Sequence, residues 1–349
     1  MAAVNQMSEE YRKYGPSYIL HHFLYRMFKS ATSSEKMAEI HSRYCENLTT
    51  EELIKENMAL YSKCIGHTFD FYNPKTFTEK IQNIKILGST DEKSFLTDKL
   101  SVKDWVANKI GAQFVIPTVG GGWDNFNDID FSALPDKFVL KMNNGSGMNY
   151  PVIDKSRMNV QEAKRLFDKW IKTEFCWYAF EMQYRKIKNR IFAEKFVEEM
   201  DGNLYDYKIH CFDGQPRFIQ LIGDRNLLEH TGAQRFFDTD WHQLDWDIYY
   251  YPDFTHDVPR PENLDAMLDI ATKLSEGFNY VRVDLYNING QIYFGEMTFT
   301  PGAGLYPYKG KWTYDVDEKL GGCCIYELFS KILDFLQTCC IGHQRYCYE

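Results

Sequence analysis

The sequence predicts an α+β protein built from antiparallel strand pairs and helices, with extra helical segments at its N-terminal and C-terminal ends. Residues 280–304 read as two strands joined at 289–290 by Asn-Gly, a dipeptide typical of a tight hairpin turn. An Asp-Gly turn at 213–214 separates a second pair of strand-like segments. Apolar residues at helical spacing between 261 and 278 place a helix directly before the first hairpin.

The composition bounds the class of protein. A chain of 349 residues with 44% hydrophobic and 16% aromatic residues is globular and long enough for two or three subdomains. The net charge of -9 and the pI of about 5.6 argue against a nucleic-acid-binding protein, which usually has a basic face. No run approaches the roughly 20 apolar residues of a membrane span, and the first 15 residues lack the apolar core of a secretory signal.

The cysteines are odd in number and show no metal-binding pattern. The nine of them form no CxxC pair and no Cys/His spacing typical of zinc. Free thiols in a reducing compartment account for this, so we expect a cytoplasmic protein. Cys-Cys pairs at 323–324 and 339–340 flank a predicted helix at 325–336. They could be acylation sites at the inner face of a membrane or small buried thiols beside a packed helix.

The N-terminal third is predicted to be mainly helical. Residues 1–70 read as helices that form an accessory layer or a partner surface. Thr76 or Thr78 can cap the helix that begins in NPKTFTEKIQ, and another helix is expected over residues 97–111. Residues 114–126 read as a short strand followed by a turn at the three glycines 120–122.

A glycine-rich loop follows a lysine-bearing strand in the middle of the chain. KFVLKMN reads as an apolar strand that carries Lys141, and NNGSG leads into a second strand. Backbone N–H groups of such a loop can surround a phosphate, while the lysine adds positive charge. The segment predicts either a mobile lid over phosphates or an ordinary hairpin, because Gly-Ser-Gly occurs in both.

Further strands follow an aromatic-rich segment. Residues 159–180 read as one helix whose Phe and Trp side chains belong to the core, and RIFAEKFVEE reads as a buried strand. Two strands then flank residues 213–214. Asp206 and Lys208 lie two residues apart, on one face of the first of these strands. A polar surface strand would show the same spacing.

The hairpin at 280–304 carries the clearest chemical pattern. Val283 and Leu285 share one face of the first strand, and Arg282 and Asp284 share the other. Asp284 can converge with Glu296 of the returning strand on one point, as a hard cation such as Mg²⁺ requires. The alternative is a half-buried surface hairpin with scattered charges.

The order of these segments resembles that of the ATP-grasp superfamily, in which two α+β lobes clamp MgATP between antiparallel sheets. Within it, the chain is similar to the family related to the teichuronopeptide biosynthesis protein TupA, associated with bacterial surface polysaccharides. The resemblance covers residues 70–320, through NPKTFTEKIQ, FVLKMNNGSG, AEKFVEE, DYKIHCFDG and VRVDLYNINGQIYFGEMTFTPGAG. It implies an N-terminal helical extension (1–70), an N-terminal subdomain (71–135), the lid and small lobe (136–200), the large lobe with the metal site (201–320) and a C-terminal helix (321–349).

The resemblance implies roles for residues at matching positions. For ATP, these are phosphate contacts from Lys99, Lys141 and Lys208, a lid of Gly145, Ser146 and Gly147, an adenine hinge of Glu194, Lys195, Phe196 and Val197, and a ribose contact from Asp206. For Mg²⁺, with Mn²⁺ as an alternative, the implied ligands are Asp284, Glu296 and Thr298. Arg282, with Lys141 and Lys208, is implied as the catalytic group that stabilises developing charge.

The chain departs from the superfamily pattern at two positions. Thr298 stands where a third metal ligand, commonly asparagine, is found, and a hydroxyl is a weaker Mg²⁺ ligand. Asn144 stands where relatives with His-Gly-Ser-Gly carry histidine. The number of bound metal ions, one or two, is therefore open. Whether another residue replaces a catalytic histidine is open as well.

The leading hypothesis is an ATP-dependent carboxylate–amine ligase that forms an acylphosphate in surface polysaccharide or glycan biosynthesis or modification. The alternatives are a kinase that phosphorylates a sugar or glycan hydroxyl, and a nucleotide-binding scaffold for glycosyltransferases. Expected partners are ATP and a glycan, sugar or amino-acid acceptor, with membrane-surface or glycosyltransferase association as an option. Basic residues within 185–190 or the aromatic loop 241–251 could contact the acceptor, or could be a solvated face and a cover over the sheet.

Overall fold

The computed structural model describes residues 34–197, 204–226, 231–248 and 251–323. Its helices are α1 (Ser34–Glu46), α2 (Thr50–Ile65), α3 (Phe77–Ile86), α4 (Asp91–Thr97), α5 (Val102–Ile110), α6 (Val160–Trp170), α7 (Cys176–Ala179), α8 (Leu264–Ser275) and α9 (Tyr314–Gly321). Its strands are β1 (Thr118–Trp123), β2 (Phe138–Met142), β3 (Asn149–Val152), β4 (Ile191–Lys195), β5 (Asp206–Phe212), β6 (Gln215–Asn226), β7 (Thr231–Asp238), β8 (Tyr280–Ile288) and β9 (Gln291–Thr298).

The strands form two antiparallel sheets. The small sheet has the order β1-β4-β2-β3, and the large sheet has the order β7-β6-β5-β8-β9. Helices pack on these sheets, so the predicted α+β class with two antiparallel-sheet lobes is confirmed. The division of the chain at residues 70, 135, 200 and 320 stays a prediction.

Two predicted helices are wrong in extent. Residues 159–180 form α6 and the short α7 instead of one helix. The chain turns between them because the Asn189 Nδ2 atom donates hydrogen bonds to the carbonyl oxygens of Ile171 and Thr173, at 2.9 and 3.0 Å. The helix expected over 97–111 begins only at Val102, since the Asp98 carboxylate accepts from backbone N–H groups at 100 and 101 and forms a turn first.

The three glycines at 120–122 do not form the predicted turn. They lie inside β1, which pairs with β4. At Gly121, a Cβ atom would come within 2.4 Å of the Cβ atom of Phe192. Glycine therefore allows a close approach of two strands here, a role that its sequence does not distinguish from a turn.

One face of the large sheet is apolar, and the other carries charged residues beside a second apolar cluster that includes Phe212, Phe218 and Tyr280. Val281, Val283 and Leu285 of β8 face a core that includes Ile270 and Leu274 of α8. Because side chains alternate along a strand, the even-numbered positions of β8 project from the opposite face. The hydrophobic core thus fixes which face carries the charged residues.

The small sheet follows the same rule. Phe138 and Leu140 of β2 and Ala193 of β4 form a core with Phe167 of α6. The opposite face carries the alternate positions, among them Lys141 and Glu194. Both sheets therefore present charged residues on the face away from their main apolar cluster.

Helices α3 and α9 are tied together by one buried carboxylate. Thr76 caps α3 through a reciprocal capping box with Glu79, which confirms one of the two predicted caps. Asp317 of α9 accepts hydrogen bonds from the backbone N–H of Thr78 at 2.9 Å, from the Thr78 hydroxyl, and from the Tyr308 hydroxyl at 2.7 Å. The Asp317 residue is fully buried, so these donors have no solvent alternative.

We expect Asp317→Asn to lower the free energy of unfolding by about 1–3 kcal/mol, because an amide cannot accept from all three donors and leaves buried polar groups unpaired. Urea unfolding followed by circular dichroism measures the change. Asp315→Asn, on the exposed face of the same helix, is the matched control and should change stability by less than about 0.5 kcal/mol. Equal effects of the two substitutions would contradict the assigned role.

Several predictions fall on the chain ends. Helices α1 and α2 confirm the helical reading of residues 34–65, and the cysteines at positions 45, 64, 176, 211 and 323 are free thiols. The predicted helix at 325–336 and its neighbouring cysteines lie outside the described residues. Within the described ranges, none of the helices has the length and apolar character needed to cross a membrane.

Candidate nucleotide and metal site

A bulge in β9 brings two carboxylates to one face of the large sheet. An uninterrupted register beyond the hairpin turn would set Glu296 opposite Val283, whose side chain faces the core. The register shifts by one residue at Gly295, so Glu296 instead lies opposite Asp284. Glycine suits this position because a Cβ atom there would lie 3.0 Å from the Asp284 carbonyl oxygen.

Arg282 is the centre of a buried charge cluster. Its Nε and Nη2 atoms donate to the two carboxylate oxygens of Asp284 at 2.6 and 2.8 Å. Nη2 also lies 3.3 Å from Oε1 of Glu296 and 3.1 Å from Oγ1 of Thr298. Lys208 of β5 forms a second ion pair with Asp284. The structure therefore brings the predicted metal ligands and two predicted catalytic cations into one contact network.

Asp206 extends this network along β5. Its Oδ2 atom lies 2.7 Å from Nζ of Lys208 and 2.9 Å from Nη2 of Arg225. Burial raises the pKa of Asp206, but the positive charges of Lys208 and Arg225 outweigh it and hold the pKa below its usual value. Its Oδ1 atom is buried and has no hydrogen-bond partner among the described residues, so one of its acceptor atoms is left unpaired.

Glu296 is the most accessible carboxylate of the cluster. Its side chain is 35% exposed, and its Oε2 atom lies 3.6 Å from Nζ of Lys99. Burial opposes its ionisation, but Lys99, Lys208 and Arg282 outweigh this and lower its pKa from 4.5 to about 2. The stabilising contribution of this carboxylate is therefore complete above pH 4.5 and is lost as the pH falls towards 2.

A second charge cluster lies on the small sheet. Glu194 forms ion pairs with Lys141 of β2 and with Lys103 of α5, the latter at 2.6 Å. Burial raises the pKa of the Glu194 carboxyl, but the two lysines outweigh it and lower the pKa overall. Among the described residues, no ion pair joins this cluster to Arg282. The predicted phosphate-binding lysine is thus held by the side chain of a predicted hinge residue.

Lys99 connects the glycine-rich loop to the large-sheet cluster. Its backbone N–H donates to the Asn143 carbonyl at 2.8 Å, and its Nζ atom donates to the Gly145 carbonyl. Gly145 and Gly147 have φ values of 74° and 71°, which favour glycine. Because Lys99 also faces Glu296, it spans the gap between the predicted lid and the predicted metal site.

The remaining predicted residues lie on either side of this gap. Ser146 and Gly147 are exposed at the tip of the loop. Lys195 donates its backbone N–H to the Pro117 carbonyl at 2.9 Å, and Phe196 is buried while Val197 is half-buried. The assigned roles of these residues towards ATP stay predictions.

Three charged groups were missed by the sequence reading. Lys103 pairs with Glu194 across 91 positions of the chain, and Arg225 lies on a strand that reads as an ordinary amphipathic segment. Glu181, nearly buried, accepts from the Thr300 hydroxyl at 2.6 Å. Burial raises the pKa of Glu181. Only the position of Thr300 in TFTPGAG, directly after the β8–β9 hairpin, could have indicated this last contact.

The aromatic loop is not free to stack on a ligand. Trp241 stacks on Phe237 with ring centroids 4.1 Å apart, and Trp246 is buried in the core. In the described part of residues 241–251 the loop therefore covers the large sheet, as the alternative interpretation held. Residues 249–250 lie outside the description.

A family model described as TupA-like ATPgrasp matches residues 79–324, which is more than half of the chain. The chain belongs to the TupA-like ATP-grasp family. Its two antiparallel sheets are the ATP-grasp fold. No curated protein matches the chain in sequence.

Solved structures show distant similarity. D-alanine–D-alanine ligase from Helicobacter pylori is 14% identical with a TM-score of 0.36, over 66% of this chain and 62% of that chain. L-amino acid ligase from Bacillus licheniformis is 15% identical with a TM-score of 0.41, over 70% and 53%. D-cycloserine synthetase DcsG is 15% identical with a TM-score of 0.38, over 80% and 95%. The chain spans less than two thirds of the length of the first two proteins, and no activity is carried over from them.

The cluster has a donor set that fits a divalent cation. Asp284 and Glu296 offer carboxylate oxygens around the same guanidinium, which suits a hard ion such as Mg²⁺. The Glu296 side chain is exposed enough to coordinate a metal ion directly. Both oxygens of Asp284 are occupied by Arg282, so direct ligation by Asp284 requires that guanidinium or Lys208 to shift.

Proposed function

We propose that the protein is an ATP-dependent carboxylate–amine ligase that acts in surface polysaccharide or glycan biosynthesis or modification. One observation carries the proposal. Lys99 lies between the Gly145 carbonyl of the loop and the Glu296 carboxylate, so that a loop suited to phosphates faces carboxylates suited to a metal. Membership of the TupA-like ATP-grasp family supports the same reading.

ATP would lie between the two sheets. Lys99, Lys141 and Lys208 supply positive charge for its phosphates, and the N–H groups of residues 145–147 cover them. The backbone of residues 194–197 would bind the adenine. The unpaired Oδ1 atom of Asp206 can accept a hydrogen bond from a ribose hydroxyl.

The first chemical step is phosphoryl transfer to a carboxylate. A carboxylate oxygen of the acceptor attacks the γ-phosphorus, the bond from that phosphorus to the bridging oxygen of ADP breaks, and an acylphosphate forms. Arg282, Lys208 and Lys141 offset the negative charge that spreads over the transferring group. Asp284 and Glu296 would hold Mg²⁺, which when bound neutralises further phosphate charge.

The second step is amide formation. The nitrogen of an amine attacks the acyl carbon, the carbon–oxygen bond to phosphate breaks, the amine releases its extra proton to solvent and inorganic phosphate leaves. Closure of the glycine-rich loop would exclude water, which otherwise hydrolyses the acylphosphate. Association with a membrane surface stays a prediction, because the helix at 325–336 that suggests it lies outside the described ranges. Association with glycosyltransferases through the terminal helices also stays a prediction.

Product analysis tests the proposal. We expect ATP consumption in a screen of sugars, uronic acids and amino acids, with ADP and free phosphate released in equal amounts and a product mass equal to the two acceptors joined with loss of water. An acceptor carboxylate labelled with oxygen-18 should pass one labelled oxygen to the released phosphate. Phosphate retained on a hydroxyl of the acceptor would establish a kinase instead, and absence of ATP consumption with every acceptor would support a scaffold.

A further inference from the structure

Asn143 is a fully buried polar residue at the point where the glycine-rich loop leaves β2. All of its polar groups form hydrogen bonds. Its backbone N–H donates to the Arg190 carbonyl at 3.1 Å, and its Oδ1 atom accepts from the Arg190 N–H at 2.8 Å. Its Nδ2 atom donates to Oδ2 of Asp98 and to the Lys188 carbonyl, both at 3.0 Å. Its carbonyl accepts from the Lys99 N–H at 2.8 Å. Displacing any of these segments would leave a buried polar group unpaired.

The three segments that meet at Asn143 all belong to the proposed ATP site. Residues 188–190 lead directly into β4, and residues 194–197 at the end of that strand are the proposed adenine hinge. Residues 143–147 form the glycine-rich loop, and Lys99 is a proposed phosphate ligand. Asn143 therefore attaches the parts that would bind phosphate to the strand that would bind the base.

Strand β4 is the fixed end of this junction. It pairs with β1 on one side and with β2 on the other, so its position does not depend on Asn143. The neighbouring Asn144 also binds the segment before β4, through a hydrogen bond from its Nδ2 atom to the side chain of Asn189. At the tip of the loop, Ser146 and Gly147 are exposed. The loop thus has a fixed base and an open tip, an arrangement that suits a lid.

The position of Lys99 depends on Asp98 as well as on Asn143. Oδ1 of Asp98 accepts from the backbone N–H groups of residues 100 and 101, which fixes the turn that carries Lys99. The hydrogen bond from Asn143 to Oδ2 of Asp98 holds this turn against the base of the loop. From there, Nζ of Lys99 contacts the Gly145 carbonyl and lies 3.6 Å from Oε2 of Glu296. A chain of direct contacts thus connects β4, through Asn143, to the carboxylates of the large sheet.

We infer that Asn143 and Asp98 are positioning residues, which hold Lys99 and the glycine-rich loop at the separation that the phosphates of ATP require. The inference rests on the proposed function, and neither residue touches ATP in it. Phosphate would take up the Nζ atom of Lys99, which now contacts the Gly145 carbonyl. The bond between Asn143 and Asp98 is then the side-chain contact that still holds the lysine beside the loop. Since hydrogen bonds weaken beyond about 3.2 Å, a small displacement of either part weakens its phosphate contacts.

Asn143→Asp tests the inference in the full-length protein. The carboxylate keeps the shape of the side chain and the acceptor for the Arg190 N–H. It replaces the donor to Asp98 by a second negative charge, across a separation that is now 3.0 Å, so that the two side chains repel each other. Calorimetric titration with Mg²⁺ measures the Kd of a non-hydrolysable ATP analogue and the Kd of AMP, which lacks the β- and γ-phosphates.

We expect the Kd of the ATP analogue to rise at least about tenfold in Asn143→Asp. The Kd of AMP should rise less than about threefold, because β4 keeps its sheet partners and the proposed hinge stays in place. Circular dichroism checks that the variant is folded at the temperature of the titration. If it is not, Asp98→Asn, at a half-buried position, removes the same acceptor and should show the same difference between the two nucleotides.

Asn125→Asp is the matched control. Nδ2 of Asn125 donates to Oδ2 of Asp128 at 3.2 Å in an exposed turn, so the same substitution creates the same kind of repulsion at a place with no role in the proposal. Both Kd values should stay unchanged. The exchange variant Asn143→Asp with Asp98→Asn restores a donor and an acceptor in reversed order. It should bind the ATP analogue at least about threefold more tightly than Asn143→Asp alone.

Four results would overturn the inference. These are an unchanged Kd of the ATP analogue in Asn143→Asp, equal weakening of the analogue and AMP, an exchange variant that binds no more tightly than Asn143→Asp, and an equal loss of binding in Asn125→Asp. Equal weakening of both nucleotides would assign Asn143 a purely structural role. If the wild-type protein did not bind the analogue, the proposed function would fail together with the inference. A wild-type protein that binds the analogue, beside an Asn143→Asp variant that binds it equally well, would overturn only the positioning role.

Discussion

Glu296→Gln is expected to lower the rate of ATP turnover on the order of 10³-fold while the protein stays folded. The substitution removes the open carboxylate of the proposed metal site and its attraction for Lys99, 3.6 Å away. The amide oxygen can still accept from Thr298 and Arg282, at distances now 3.2 and 3.3 Å. The side chain is partly exposed, so the free energy of unfolding should change by roughly 1 kcal/mol or less. ADP release with a productive acceptor, and urea unfolding, measure the two quantities.

The control for Glu296→Gln is Glu276→Gln. The Glu276 side chain is 78% exposed and pairs with Lys109 at 3.4 Å. It has no role in the proposed reaction. It should leave both turnover and stability unchanged. Retention of more than about a tenth of wild-type turnover in Glu296→Gln would remove Glu296 from the metal site. A similar loss of turnover in Glu276→Gln would show that turnover falls whenever a carboxylate charge is removed, wherever that carboxylate lies.

The position of the β8–β9 hairpin was predictable, but the bulge that brings its two carboxylates together was not. Alternation in VRVDLY and the Asn-Gly turn predict two antiparallel strands, and the polar face of β8 follows from the apolar one. Simple pairing from that turn, however, buries Glu296 beside Val283. The bulge at Gly295 shifts the register by one residue and sets Glu296 opposite Asp284. A single glycine in a strand does not predict a bulge by itself, because it can also mark a bend or a close approach of another segment.

The clusters depend on contacts between distant segments. Lys141 could be recognised because a glycine-rich loop follows it, whereas Lys103 has no local signal and meets Glu194 only in the folded chain. Asn144 could be read from the sequence, but the contacts of its side chain depend on Asn189 and on two carbonyl groups. Local patterns predicted the elements, and tertiary packing decided which charges meet.

Asp284 shows how the two kinds of information combine. Its residue type and strand face suggest a metal ligand, yet the structure surrounds it with Arg282 and Lys208. The residue is 1% exposed, so its charge is needed to compensate two buried cations before any ligand arrives. A substitution at this position should therefore affect folding and chemistry together, in contrast to the same change at Glu296.

We expect Asp284→Asn to abolish ATP turnover and also to lower the free energy of unfolding by about 3–5 kcal/mol. The amide removes the counter-ion that Arg282 and Lys208 share, so that Lys208 keeps only Asp206 and Arg282 keeps only the longer contact with Glu296. Urea unfolding measures the loss of stability. ADP release is measured without urea, at a temperature at which the variant remains folded. Asp265→Asn is the matched control, since Asp265 is 83% exposed in its ion pair with Arg260 and should change stability by less than about 1 kcal/mol.

A double variant separates the two effects of Asp284. Adding Lys208→Met to Asp284→Asn removes one of the two cations that have lost their shared counter-ion, so part of the lost stability should return. Turnover should not return, because the carboxylate and the lysine proposed to bind phosphate are both missing. If the double variant were less stable than Asp284→Asn alone, repulsion between Arg282 and Lys208 would not be the cause of the instability. If Asp284→Asn were as stable as the wild type, the carboxylate would not be the counter-ion on which this cluster depends.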